Sequence, residues 1–207
     1  MPLALITIDE YKDLQGIGAK SQDTQDEIIQ TYIDGVSQLV KTYCGYSFVD
    51  FYNNFKTETF TMDYDQYFVQ LSELPLRQGT VTVKERTSIK DTFSSITALT
   101  NDDDYYIDYG SDTIYRVTGG NAYKAFPRGP GSVEVIYKAG YDIANKLLPD
   151  DLSLAIADMV TYYFKDQTKS RQTIAGASIQ TSTSSSQKNS VDFPDHIKRV
   201  LDLYKNY

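Results

Sequence analysis

The sequence predicts an α+β protein: a small helical bundle, made of N-terminal and C-terminal helices, with an antiparallel β-sheet inserted between them. Apolar residues recur at three- and four-residue steps over 23–43 and again after Pro149, the signature of one buried helix face. Between those stretches, over 48–141, the period falls to two, as in half-buried strands. At 207 residues the chain is also long enough to bury a sizeable core without disulfide or metal staples.

Residues 7–14 (TIDEYKDL) read as a short first helix, with Thr7 or Asp9 placed to cap its first-turn amides. The stretch Gln15-Gly16-Ile17-Gly18-Ala19-Lys20 breaks it. Gly16-x-Gly18 follows no strand and lacks both a third glycine and a Gly-Lys-Ser/Thr element, so it reads as an interhelical turn and not a phosphate cradle. In the long helix 23–43 the apolar face is Ile28, Ile29, Tyr32, Ile33, Val36, Leu39, Val40 and Tyr43. Asp23, Asp26 and Glu27 at its start, with Lys41 and Gly45 at its end, match the helix dipole and the glycine that commonly follows a last turn.

Strands are predicted at Phe55–Met62, Tyr67–Leu71, Thr80–Glu85, Tyr105–Asp108, Thr113–Val117 and Ser132–Lys138, separated by Gly, Pro and Asp/Asn clusters. Leu148-Pro149-Asp150-Asp151 then opens a helix over 150–166, with Leu152, Leu154, Ala155, Ile156, Met159, Val160, Tyr163 and Phe164 on a wide apolar face. These elements form a body over 1–167. Residues 168–190, rich in Ser, Thr and Gln, carry too little apolar surface to offset the entropy of ordering and read as a flexible or partner-ordered loop. The closing segment 191–207 places Ile197, Val200, Leu201 and Tyr204 on one face of a short helix. Such a helix is marginal alone and must dock, on its own body or on another subunit.

The formal charge of −8 is unevenly placed. Residues 1–167 hold 14 Lys and Arg against 25 Asp and Glu, whereas 168–190 hold only the cations Lys169, Arg171 and Lys188. An acidic body argues against DNA reading, which needs clustered cations to displace counterions. The basic loop suits attraction to an acidic neighbour, or simple solvation. The opening segment has no basic n-region and no apolar run is long enough to span a bilayer, so a soluble chain that keeps its start is expected.

Chemistry is sparsely provided for. The single cysteine, Cys44, has no intramolecular disulfide partner, and the single histidine, His196, lies far along the chain, so Cys44 reads as a structural thiol in a reducing compartment. His196 reads as an ordinary, partly exposed side chain. Asn101-Asp102-Asp103-Asp104, with Asp108 and Asp112, lacks the alternating ligands, central Gly and terminal Glu of a calcium loop and reads as a charged turn. Gly-x-Ser-x-Gly, Cys-x-x-Cys, His-Glu-x-x-His and Walker motifs are absent, so no catalytic, cofactor or metal residue is assigned and no enzyme is expected. The 18 Tyr and 9 Phe, with no Trp, suit protein interfaces and β-strands equally.

Several stretches together carry a resemblance. TIDEYKDL, Val40-Lys41-Thr42-Tyr43-Cys44-Gly45-Tyr46 and Leu71-Ser72-Glu73-Leu74-Pro75-Leu76 are similar to the N-terminal half of phage head-tail connector (adaptor, head-completion) proteins. Tyr105-Tyr106-Ile107-Asp108, the strand at Thr113-Ile114-Tyr115, Val133–Tyr141 (VEVIYKAGY), Leu148-Pro149-Asp150-Asp151-Leu152 and the closing Leu201-x-x-Tyr204 are similar to its second half. The loop 168–190 is longer and richer in Ser and Thr than that pattern, and the chain ends Lys205-Asn206-Tyr207 where a basic residue usually follows the tyrosine.

The resemblance implies a structural virion protein of the phage neck, present in the host cytoplasm before assembly. It implies a twelve-copy ring under the portal, formed from a chain that is monomer or ring beforehand, with a stopper or tail-completion protein on the opposite face. DNA would pass through the lumen without sequence-specific binding, and no membrane or cofactor is involved. The portal contact is then expected at Phe193, Ile197, Val200, Leu201, Tyr204 and Tyr207, with Lys169, Arg171 and Lys188 as an inter-subunit or portal loop. A tail-completion or terminator ring, or a small non-catalytic binding module, are the competing readings; the two long helices argue against the first.

Overall fold

The structure is a computed structural model that describes residues 3–16, 23–119, 122–145, 147–169 and 193–205. It divides into two compact units, a helical one from residues 1–45 and 146–207 and a β one from 46–145.

The helical unit contains α1 (Ile8–Leu14), α2 (Asp23–Cys44), α3 (Asp150–Lys169) and α4 (Asp195–Leu203). Thr7 caps α1, its Oγ1 accepting the Glu10 N–H at 3.2 Å. In α2 the buried stripe is Ile29, Ile33, Val36, Val40 and Cys44, a step of three or four residues each time. Ile28, expected on that stripe, is 47% exposed, because neighbouring residues lie too far apart around the helix to share one face. Leu152, Ala155, Ile156, Met159 and Val160 of α3 meet the α2 stripe, while Leu154 faces outward. The extended residues before α1 are pinned to α2 by two buried polar groups one turn apart: the Leu5 N–H donates to Ser37 Oγ at 2.9 Å, and Lys41 Nζ donates to the Leu3 carbonyl at 2.8 Å. Helix α3 runs to Lys169, beyond the expected end at 166, so Thr168 and Lys169 are helical.

The β unit contains β1 (Lys56–Met62), β2 (Phe68–Gln70), β3 (Thr82–Glu85), β4 (Tyr105–Asp108), β5 (Thr113–Thr118), β6 (Ala122–Tyr123) and β7 (Gly129–Tyr137). They form two antiparallel sheets, one in the order β1-β7-β3 and one in the order β2-β5-β4 with β6 on β5. The single inserted sheet of the sequence reading thus becomes two. Each is apolar on one face, and joining those faces buries both. Met62, Val83, Val133, Val135 and Tyr137 of the first sheet meet Val69, Tyr105, Ile107 and Ile114 of the second in one core.

Buried polar ties fasten this core. Arg116, with its side chain 2% exposed, reaches from β5 to β3 and donates Nε and Nη2 to the two Glu85 carboxylate oxygens at 3.0 and 2.9 Å. The segment Leu71–Leu76 works as a clasp: Glu73 accepts from the Ser47 N–H and hydroxyl at 2.9 and 2.8 Å, and the Leu76 N–H donates to Asp112 Oδ1 at 3.0 Å. Gly140 must be glycine, since at φ +99° a Cβ would stand 2.2 Å from the Phe48 carbonyl oxygen.

Candidate assembly surfaces

Cys44 is fully buried, 3.7 Å from the Leu201 carbonyl. Burial, reinforced by the Asp202 carboxylate, pushes its thiol up to about 11, which leaves it protonated and unreactive at neutral pH. His196 is exposed on α4. Asp102 and Asp112 occupy left-handed turns at φ 67° and 51°, and Asp108 accepts from the Ser111 hydroxyl at 2.7 Å and the Gly110 N–H at 3.0 Å. Those bonds hold the Asp108 carboxyl below the usual range. Among the described residues no three His, Cys, Asp or Glu side chains gather into a metal site.

The closing helix docks on its own unit. Ile197 and Leu201 are buried, and Phe193 just before α4 packs edge-on against Tyr43 of α2 with centroids 4.9 Å apart. Around this apolar contact, Tyr43 Oη donates to Asp202 at 2.5 Å, Tyr204 Oη donates to Asp151 at 2.7 Å, and Lys205 Nζ lies 4.9 Å from the Tyr43 ring centre. Of the residues expected to face a portal, Phe193, Ile197 and Leu201 are therefore core side chains of this chain. Val200 and Tyr204 are half-buried at its border. Tyr207, Arg171 and Lys188 lie outside the described residues, as does the side chain of Lys169. Sequence periodicity found the apolar face of α4 but missed Leu203, 77% exposed on the outer flank, where Arg199 is also exposed.

A second surface, to which the tyrosine-rich composition pointed without naming residues, lies in the β unit. On the β2-β5-β4 sheet, register aligns Phe68, Tyr115 and Tyr106 in one row across three strands. Their neighbours Val69, Ile114 and Ile107 form the next row and point into the core, so the aromatic row points out. Phe68 and Tyr106 are 54% and 53% exposed. Tyr123 extends the row, 6.1 Å from Tyr115 and 6.4 Å from Tyr67 between ring centres.

Compared with known proteins, residues 4–207 match the model of the head completion protein family. The chain belongs to that family. No curated protein matches the sequence. Among solved structures, this head completion protein is similar to a chain of the neck of an empty gene transfer agent particle computed with C6 symmetry, at TM-score 0.57 and 13% identity over 100% of this chain and 96% of that one. It is similar to a chain of the native gene transfer agent virion, at TM-score 0.59 and 14% identity over 98% and 90%. A chain of the native particle's neck, computed with C12 symmetry, gives TM-score 0.55 and 13% identity over 100% and 96%. At those identities the likeness is one of fold, and it takes in helical and β units together.

Proposed function

We propose that this head completion protein is a head-tail connector subunit, an adaptor that forms a ring under the portal of a tailed phage and links the DNA-filled capsid to the stopper or tail. The observation that carries the reading is the family match over nearly the whole chain, supported by the shared fold with neck chains, one of them from a neck computed with C12 symmetry. A twelvefold ring is the arrangement proposed here, non-enzymatic and located in the virion neck. The acidic body suits a lumen that DNA crosses without sticking, since like charges repel phosphate.

Portal docking is assigned to α4. Because Phe193, Ile197 and Leu201 are held in the core, the contact that leaves the fold intact uses the outer flank of the helix: Leu203, with Val200 and Tyr204 at its border. Leucine exposed to this degree, with exposed Arg199 one turn earlier on the same flank, is a suitable apolar anchor with a charged neighbour. The test is co-purification of the full chain with its cognate portal protein. Wild type should be retained, and Leu203→Asp should weaken retention at least about tenfold, the scale of one lost anchor. Failure of wild type to bind would sink the connector reading; equal binding by Leu203→Asp would remove α4 as the contact.

A further inference from the structure

The two outer faces of the β unit differ in kind. Because the inward side chains of both sheets share one core, the outward faces look in opposite directions. On the β2-β5-β4 side the surface is aromatic, with Phe68, Tyr106, Tyr115 and Tyr123, and its border is acidic. Asp108 lies on the same face, one row from Tyr106, and exposed Asp102 and Asp103 lead into β4. Asp65 precedes β2 and is already answered by Arg128 at 2.9 Å, and exposed Lys124 follows Tyr123.

The β1-β7-β3 side is cationic. Lys138 lies over the Phe55 ring at 4.6 Å, Arg77 over Tyr52 at 4.7 Å and Arg86 over Phe93 at 4.7 Å, and Lys84 donates to the Phe93 carbonyl at 2.8 Å. Among the described residues none of these four cations meets a carboxylate. Acids on this side are Glu134, in register with Lys84, and exposed Asp91, whose carbonyl accepts from Arg86 Nη1 at 3.2 Å. Phe55 is 59% exposed, and Thr57, Thr59 and Thr61 line the rest of β1.

We propose that these faces are the two halves of one head-to-tail interface, the acid-bordered aromatic face of one copy seating on the cation-bordered face of the next. The occupant is a second copy of this chain because the charge complementarity is internal to it: one face has a mainly acidic border and the other a mainly cationic one. A ring demands two different, mutually complementary patches on every subunit, unlike a twofold dimer, which uses one patch twice. Exposed Tyr and Phe supply the anchors of such contacts, and opposite charge sets their register. The inference rests on the ring reading given above.

The test uses the full chain, sedimented over rising concentration to about 1 mM, the range of weak association, at low and high salt. Two variants each break one face, at the exposed Phe68, Tyr106 and Arg77 and the half-buried Lys138: Phe68→Ser with Tyr106→Ser, and Arg77→Glu with Lys138→Glu. Unchanged thermal unfolding certifies that each variant is folded, and a variant that unfolds is replaced by its single substitutions. Wild type should associate beyond the dimer and weaken with salt. Each variant alone should associate at least about tenfold more weakly. Mixed together, the variants should form a 1:1 dimer and stop, because each retains one good face and the pair shares one working junction. Association of both variants at wild-type strength, or folded variants that stay monomeric when mixed, would overturn this interface and leave the ring reading standing. A wild type that stops at a dimer broken only by the aromatic substitutions would also overturn it, in favour of symmetric pairing. A wild type monomeric throughout would overturn both the interface and self-driven ring assembly.

Discussion

Asp112 shows how one residue of an apparent metal-binding cluster serves the fold. It sits in a left-handed turn at φ 51°, is 7% exposed, and accepts the Leu76 N–H at 3.0 Å. Burial raises its carboxyl above the usual 3.8, with the neighbouring Asp108 charge adding to this and the Leu76 bond opposing it. An acid whose folded value is raised costs stability once ionised, and that cost disappears as pH falls through the raised value. Asparagine keeps the acceptor oxygen, tolerates the left-handed backbone and carries no charge. Asp112→Asn should therefore match or exceed wild-type stability at pH 7, its advantage shrinking toward pH 4, as read from urea midpoints. Asp112→Ala should lose roughly 1–3 kcal/mol for the orphaned Leu76 amide; an asparagine variant as weak as the alanine one would refute the account. Sequence exposed the cluster as turn-forming but could not single out Asp112, because its importance comes from Leu76, far away in the chain, which only the folded clasp brings to it.

At the scale of elements, helices were more legible than strands. The three-and-four spacing of α2, α3 and α4 is local, so it appears in any window of the sequence, and only the marginal members Ile28 and Leu154 fall on the wrong side. Strands were legible as segments but not as partners: Lys56 pairs with Tyr137 and Phe68 with Tyr115, and neither pairing leaves a local trace. For the same reason the aromatic row was hidden. In TIYRVT and YYID both faces look apolar, and which one is covered depends on the second sheet. Helix α4 gives the sharpest contrast between its faces. Leu201→Ala, at a fully buried site, should cost about 2–5 kcal/mol. Leu203→Ser, at a site 77% exposed, should change stability by less than about 0.5 kcal/mol. Thermal unfolding of the two variants checks this; equal losses would mean that α4 is not seated as described.

The molecule as a whole is built by insertion: the chain leaves the helical unit after Gly45, forms the β unit, and resumes from residue 146. An inserted unit needs neighbouring ends and a core of its own. Both are present, since the Tyr141 N–H donates to the Phe48 carbonyl at 2.6 Å and the buried residues of the shared core run from Met62 to Ala139, with Phe60 packed against them. Arg116 adds a tie internal to the unit, bridging β5 and β3 through Glu85. A segment of this size lies within the ordinary domain range, above the roughly 40 residues below which staples are usually needed. Residues 46–145 expressed alone should thus fold, giving a single cooperative urea transition and a dispersed amide NMR spectrum. Arg116→Met in that fragment should cost about 3–5 kcal/mol, because Glu85 is left without the cation that answers it. A collapsed fragment that binds hydrophobic dye and melts without cooperativity would show that the helical unit is required to complete the core, and the insertion would then be one of sequence only.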